Sequence, residues 1–494
     1  MNSKKFIISI DQGTTSTRAI LYNQKLIPIY KYQIKIKQYY PKIDWVEQDP
    51  NEIWKSVLLT IKFIIKKNKI NSNDILSIGI TNQRETTILW DKKTGSPVYN
   101  AIVWQDKRTA EYCEKLKTNE NIKLIKKITG LTIDSYFSAT KIKWIIDNIK
   151  RSKFLLKQNR LAFGTVDSWI LWKLTNGNSH FTDVTNASRT MLFDIKKMNW
   201  SIKLLKLFEI PYEILPKVKE NVYKFGITNK FGSKISINGM AGDQQSSLIG
   251  QACLKKGMSK STYGTGCFFL MNVGNRIIYS KNNLLTSIAY TINGKTCYCL
   301  EGSIFVAGSA IEWLIDKLEI VSTNKEIEIM SKKAKKDSKI YFVPAFNGLG
   351  APYWNQDARG AIYGINRNTN KFDILNATIE SIGFQTKDLL NLMEKDAKNK
   401  IKQIRVDGGI ANNKTFLQFL SNILNINILK SKYSESTALG AAYLSAIGCG
   451  IIDINEIDNY WKKENTFRSK INALQRKKIY AGWLNAIDKT LYKL

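Results

Sequence analysis

Phe6-Ile7-Ile8-Ser9-Ile10-Asp11-Gln12-Gly13-Thr14-Thr15-Ser16-Thr17-Arg18 is the stretch from which the architecture of this chain can be read. Phe6 to Ile10 is a short apolar strand that ends in Asp11. The chain then turns on Gly13, and a second, alternating strand returns from Thr17 to Tyr22. A tip built of glycine, threonine and serine offers backbone amides and hydroxyls to phosphate oxygens, and the carboxylate at the strand end can hold Mg²⁺ through water. A polar hairpin tip with no ligand is the plain alternative for this motif taken alone.

The pattern recurs along the chain. The apolar run Ile235 to Gly242 leads into Asp243-Gln244-Gln245-Ser246, with a helix expected from Ser247. That puts a carboxylate at the mouth of a strand, where a catalytic base is useful. Tyr263-Gly264-Thr265-Gly266 follows, and Asp407-Gly408-Gly409 ends a strand expected at Ile404 to Val406. Glycines and small hydroxyl residues just after strands let backbone amides approach a polyphosphate. Together the four stretches imply an ATP-dependent phosphotransferase.

The elements between them alternate, which predicts an α/β chain. Asp49-Pro50-Asn51-Glu52 reads as a helix start with a carboxylate cap, proline at the first position and Glu three residues after the cap. Ile53 to Ile65 then keeps helical spacing. Ile75 to Ile80 is a buried strand leading to Arg84-Glu85, Ile142 to Ile149 an amphipathic helix, and Phe372 to Met393 a long helix. A chain of 494 residues exceeds the size of one core, so two domains are expected, 1–250 and 251–494.

Composition sets limits. The apolar share of 44% suits a folded globular chain. The N-terminal apolar run is broken too early for a signal peptide, and no later stretch is long enough to span a bilayer. A cytoplasmic protein without membrane insertion is expected. Six cysteines lie scattered with no paired spacing, and His180 is the single histidine, which argues for free thiols and against zinc. The net charge of +34 would suit a polyanion-binding protein. Of 75 basic residues, however, 12 are arginine; the rest are lysines spread over the whole length, with short clusters such as 332–336. A solvated, compositionally biased surface is preferred to a nucleic-acid footprint, which stays as the alternative from another class.

Single motifs carry plainer readings too. Gly294-Lys295-Thr296 ends like a phosphate-binding loop, but Ala289 stands where its first glycine belongs, so a hairpin turn is expected. Arg84-Glu85 is either a surface ion pair or a grip on a small polyol, with Arg donating and Glu accepting hydrogen bonds. Trp104, Tyr136 and Phe268 are either core aromatics or the walls of a pocket.

Asp11 to Ser16, Thr81-Asn82-Gln83-Arg84-Glu85-Thr86, Thr185 to Thr190, Ala241 to Gln245, Thr262 to Cys267, Ala351 to Trp354 with Asp357 to Gly360, and Val406 to Gly409 occur in this order. The ordered set resembles the glycerol kinases. Tyr136-x-Ser138-x-x-Lys141-x-x-Trp144 resembles the signature of the wider carbohydrate-kinase family. The resemblance spans essentially the whole chain. It implies an actin-like ATPase fold, two ribonuclease-H-like domains flanking a catalytic cleft. It implies nucleotide contacts at Thr14, Thr15, Ser16, Arg18, Thr265, Gly308, Gly409 and Asn413. It implies glycerol contacts at Arg84, Glu85, Tyr136, Asp243 and Gln244, with Trp104 and Phe268 on the carbon face. Asp243 would be the base, with Mg²⁺ near Asp11 through water and near Asp243.

Three departures stand out. Glu312 occupies a position where the family commonly has Gln. Thr228 to Lys234 is short for a fructose 1,6-bisphosphate loop. No second histidine accompanies His180 for control by histidine phosphorylation. The expected reaction is glycerol + ATP → sn-glycerol 3-phosphate + ADP, in glycerol catabolism; a kinase for another polyol or sugar is the runner-up, and homo-oligomerisation is left open.

Overall fold

The computed structural model describes residues 5–331, 333, 339–346, 348–355 and 357–492, so of the lysine cluster 332–336 only Lys333 falls among the described residues. The first sheet holds β1 (Phe6–Gln12), β2 (Ser16–Asn23), β3 (Pro28–Lys35), β4 (Ile75–Asn82), β5 (Val222–Thr228) and β6 (Ile235–Gly242), in the spatial order β5-β6-β4-β1-β2-β3. β1, β2 and β3 form an antiparallel meander, and β4 runs parallel between β1 and β6. β4 has neighbours on both edges, and its Ile75-Leu76-Ser77-Ile78-Gly79-Ile80 run is buried save at Leu76, as a central parallel strand requires.

The second sheet repeats the plan. β7 (Ser259–Tyr263), β8 (Cys267–Gly274), β9 (Leu285–Ile292), β10 (Lys295–Ile304), β11 (Gln403–Asp407), β12 (Asn427–Ser431) and β13 (Lys463–Phe467) lie in the order β9-β10-β8-β7-β11-β12-β13. β7 pairs antiparallel with β8 and parallel with β11. In both sheets, then, a tight hairpin sits beside parallel strands whose carboxyl ends face the same side. That edge is where open α/β sheets bind ligands. The Asn293-Gly294 turn joins β9 to β10 with both residues at positive φ, 52° and 72°, so the expected plain hairpin is what forms there.

The helices that matter here are α1 (Pro50–Lys67), α2 (Ser138–Asn148), α3 (Asp243–Gly250), α4 (Gly308–Asp316), α5 (Lys371–Ala397), α6 (Lys414–Leu424) and α7 (Ser436–Gly448). Asp49 caps α1 by accepting the Asn51 N–H at 2.7 Å, but Glu52 does not close a capping box; it accepts from the Tyr39 hydroxyl instead, at 2.8 Å. The helix expected from Ser247 begins four residues earlier, at Asp243 itself. α7 comes from the second half of the chain yet packs against β1, β4 and β6 of the first sheet. α3 and α7 cross at two glycines. A Cβ on Gly440 would lie 1.8 Å from the Ser246 carbonyl oxygen, and one on Gly250 2.0 Å from that of Ser436, so neither position admits a side chain.

Candidate active site

Arg84 and Glu85 follow directly on β4 and are buried, which removes the surface-ion-pair reading. They also do not pair closely with each other, Arg84 Nε standing 3.9 Å from Glu85 Oε1. Arg84 Nε instead faces the Asp243 carboxylate at 3.2 Å, Nη1 donates to Gln245 at 3.1 Å, and Nη1 and Nη2 grip both oxygens of Glu301 at 2.8 and 2.7 Å. Glu85 holds a left-handed backbone angle, φ 61°. Its carbonyl accepts from Ser138 and Thr87, and its Oε1 from Arg189 Nε at 2.5 Å. Burial raises the Glu85 carboxyl, with Arg189 and Arg84 opposing.

Asp243 opens α3 at the end of β6, with a quarter of its side chain exposed. Burial raises its pKa, while Arg84 and then Lys260 oppose the rise. The neighbouring Gln244 accepts Lys260 Nζ at 2.6 Å. Trp104, Tyr136 and Phe268 do converge. Trp104 meets Tyr136 edge-on at 5.6 Å and Phe268 at 6.2 Å, and Phe268 lies under the Arg84 guanidinium at 5.9 Å. Trp104 and Tyr136 also wall a cavity of about 150 Å³ whose far side is Phe305 and Trp354 from the second half; Arg84, Glu85 and Asp243 do not line it. The signature motif supports this group: Ser138 holds the Glu85 carbonyl, and the buried Lys141 donates to the Tyr136 carbonyl at 2.7 Å. Trp144 does not take part, and stacks on Arg108 instead.

The two hairpin tips are exposed at Thr15 and at Thr265. Thr14 Oγ1 accepts the Trp104 indole N–H at 2.9 Å, which ties the first tip to the aromatic wall. Ser16 is buried at the start of β2. Arg18 is already engaged: Nε donates to Gln33 at 2.7 Å, and Nη1 meets Asp11 at 3.3 Å and Glu435 at 2.9 Å. Around the second tip, Thr265, Gly308, Gly409 and Asn413 line one cavity of about 490 Å³, with Glu312 beside them on α4. Gly408 turns the chain there at φ 92°, where a Cβ would meet the Tyr263 carbonyl oxygen at 2.3 Å. Asp407, by contrast, is consumed within the fold, accepting from Gln251 at 2.7 Å and from Ser247 and Ser436.

Burial pushes the Asp11 carboxyl up to about 6; Arg18 opposes, while Glu435 and Asp243 add to the rise. Hard oxygen donors so placed gain from a cation. Among the described residues no group of three carboxylate, histidine or cysteine side chains is placed to hold a metal ion, so a cation bound here would take most of its ligands from phosphate oxygens and water.

Two large parts of the chain match one family. Residues 6–250 match the N-terminal domain of the FGGY family of carbohydrate kinases, and residues 260–449 match its C-terminal domain. The chain belongs to that family. It is 49% identical over 491 residues to the glycerol kinase of Fusobacterium nucleatum, with 98% of this chain and 99% of that one aligned. The glycerol kinase of Coxiella burnetii is 48% identical over 491 residues, covering 98% of each. Plasmodium falciparum glycerol kinase with ADP, a crystal structure, superimposes with a TM-score of 0.92 at 38% identity over 99% of both chains. This FGGY kinase therefore has the two-domain, actin-like ATPase fold that its motifs implied.

In this FGGY kinase Glu301 and Lys260 lie outside every motif quoted above, and Arg189 lies inside one, Thr185 to Thr190, with no contact assigned to it. Lys260 is fully buried on β7, donating to Gln244 and to Thr262 at 2.9 Å, and burial lowers its pKa. His180 is half-buried at the edge of the core: its Nε2 lies 2.8 Å from the Phe163 carbonyl, and its ring packs edge-on against Trp90 and Trp172. All six cysteines are free thiols. Among the described residues no helix is long and apolar enough to cross a membrane.

Proposed function

We infer that this chain transfers the γ-phosphoryl group of ATP to a terminal hydroxyl of glycerol, giving sn-glycerol 3-phosphate and ADP, with Asp243 as general base. The observation that carries the reading is the placement of Asp243, at the head of α3, 3.2 Å from Arg84 Nε. Its neighbours are the polar pair Arg84-Glu85 and, across Arg84, the aromatic wall at Phe268. The glycerol kinase relatives at 48–49% identity support the choice of substrate.

One N–H of Arg84 Nη2 remains after Glu301 has taken the other, and among the described residues no side chain donates to Glu85 Oε2. These two atoms bind neighbouring hydroxyls, one donating and one accepting, while Trp104 and Phe268 cover the carbon face and Tyr136 and Gln244 close the sides. Asp243 takes the proton of the terminal hydroxyl as its oxygen attacks the γ-phosphorus in line. Thr14, Thr15 and Ser16 hold phosphate oxygens from residues 1–250, and Arg18 reaches them through Nη2, the nitrogen that Gln33, Asp11 and Glu435 do not engage. Thr265, Gly308, Gly409 and Asn413 hold the nucleotide from residues 251–494. Asp11 through water, and Asp243, would hold Mg²⁺, which neutralises charge on the phosphate oxygens when bound. Most of the rate gain comes from positioning and electrostatics, because phosphoryl transfer asks little covalent chemistry of a protein. A cytoplasmic role in glycerol catabolism belongs to the same proposal.

Asp243→Asn keeps the shape but cannot accept a proton. Its kcat should fall by about 10²–10⁴-fold with a smaller change in glycerol binding. Turnover equal to the parent's would remove Asp243 from the role of base.

A further inference from the structure

Glu301 stands on β10 in the second sheet, 217 positions from Arg84, yet accepts an N–H from each terminal nitrogen of that side chain. Arg189, just beyond the short helix Val184–Ala187, reaches the same carboxylate with both terminal nitrogens at 3.4 Å, donates to Ser287 on β9 at 3.0 Å, and turns Nε to Glu85. Arg84, Glu85, Arg189 and Glu301 are 2%, 1%, 0% and 0% exposed. Two cations and two anions thus form a buried square, looser on its Arg84–Glu85 side at 3.9 Å and with Arg189 Nη2 left without a hydrogen bond, in which Glu301 of the second sheet meets residues that follow β4 of the first. Burial would raise the Glu301 carboxyl, but Arg189 and Arg84 hold it down at about 2.

We propose that Glu301, with Arg189 beside it, is a positioning residue that fixes Arg84 and Glu85 for the polyol from across the seam between the two sheets. The inference rests on the reading of Arg84 and Glu85 as polyol contacts. Stability does not explain the square, because apolar side chains of equal volume commonly replace buried ion pairs without loss. Geometry does. A guanidinium gripped bidentately cannot rotate, so its one unspent Nη2 N–H and its Nε keep fixed directions. Glu85 is held the same way, its Oε1 by Arg189 and its strained backbone by Ser138. Because the carboxylate that does this belongs to the second half of the chain, the polyol contacts are set only where the two sheets are docked.

The test compares four variants in steady-state kinetics with glycerol and ATP, alongside thermal midpoints. Glu301→Gln should raise the glycerol KM about tenfold or more, with kcat changed less and the ATP KM within about threefold. Glu301→Asp retains the charge and should give an intermediate glycerol KM at a near-parental midpoint. Glu301→Gln leaves the Arg189 charge unbalanced and can unfold the chain, so it is also combined with Arg189→Gln. That double variant should recover the midpoint while the glycerol KM stays high. Recovery of both together would overturn the proposal, since the carboxylate would then only neutralise Arg189. Arg84→Ala separates the two layers. If it leaves the glycerol KM unchanged, the reading of the site fails; if it raises that KM while Glu301→Gln and Glu301→Asp do not, only the positioning role fails.

Discussion

Glu85 occupies a backbone region that costs a non-glycine residue on the order of 1–3 kcal/mol, and the Ser138 and Arg189 contacts hold it there. Strain kept by so many partners is the mark of a side chain that must point one way. Removing it should leave the facing hydroxyl unpaired at a cost of about 1–3 kcal/mol. Glu85→Ala should therefore raise the glycerol KM roughly tenfold or more while the ATP KM moves much less. Equal shifts in both constants would mean general unfolding. Asp243 adds a pH signature. Burial raises its carboxyl, and a base acts only when deprotonated, so kcat/KM should fall as pH drops through that raised pKa. The residual activity of Asp243→Asn should lack this acid limb; a pH–rate profile of both proteins checks it. At this scale the sequence was legible where chemistry is local: Asp243, Arg84 and Glu85 each follow a strand. Glu301 was not, because no motif surrounds it and its partner is 217 positions away. Lys260 was hidden among dozens of surface lysines.

The crossing of α3 and α7 carries Asp243, the proposed base. α3 begins with Asp243, and its close approach to α7 depends on Gly250 and Gly440. Gly440→Ala forces a methyl group into the Ser246 carbonyl, an overpacking that costs about 1–3 kcal/mol or more. Calorimetry should show a lowered midpoint, and kcat should fall because α3 shifts; a parental midpoint would mean that the helices can part freely. His180 sets a second expectation. Burial lowers its pKa from 6.5 to about 4, so the unfolded chain binds its proton first. The stability it contributes is present above pH 6.5 and is lost as pH falls towards 4, at most about 3 kcal/mol. Denaturant titrations across that window should show a flatter pH dependence for His180→Phe than for the parent. Strands and long helices were legible from period and capping. The start of α3 was not, because its polar Asp243-Gln244-Gln245 opening masks helical spacing, and the docking of α7 on the first sheet has no local signal at all.

On the scale of the whole molecule, the strands fall into two similar sheets, and the hairpin tips at Thr15 and Thr265 are the same local solution used twice. The repetition was legible in the glycine and hydroxyl motifs; the buried square joining the sheets was not, since it exists only once they meet. The charge of +34 needs no second function on this account. Any DNA binding should therefore fade towards physiological ionic strength while kinase activity survives, and sequence-selective binding at that salt would contradict it. The central claim is the reaction. Purified protein assayed with ATP, Mg²⁺ and a panel of polyols and sugars, with coupled detection of ADP, measures it directly. The account predicts the highest kcat/KM for glycerol and sn-glycerol 3-phosphate as the product; a higher kcat/KM for any other acceptor, or ADP release indifferent to glycerol, would contradict it.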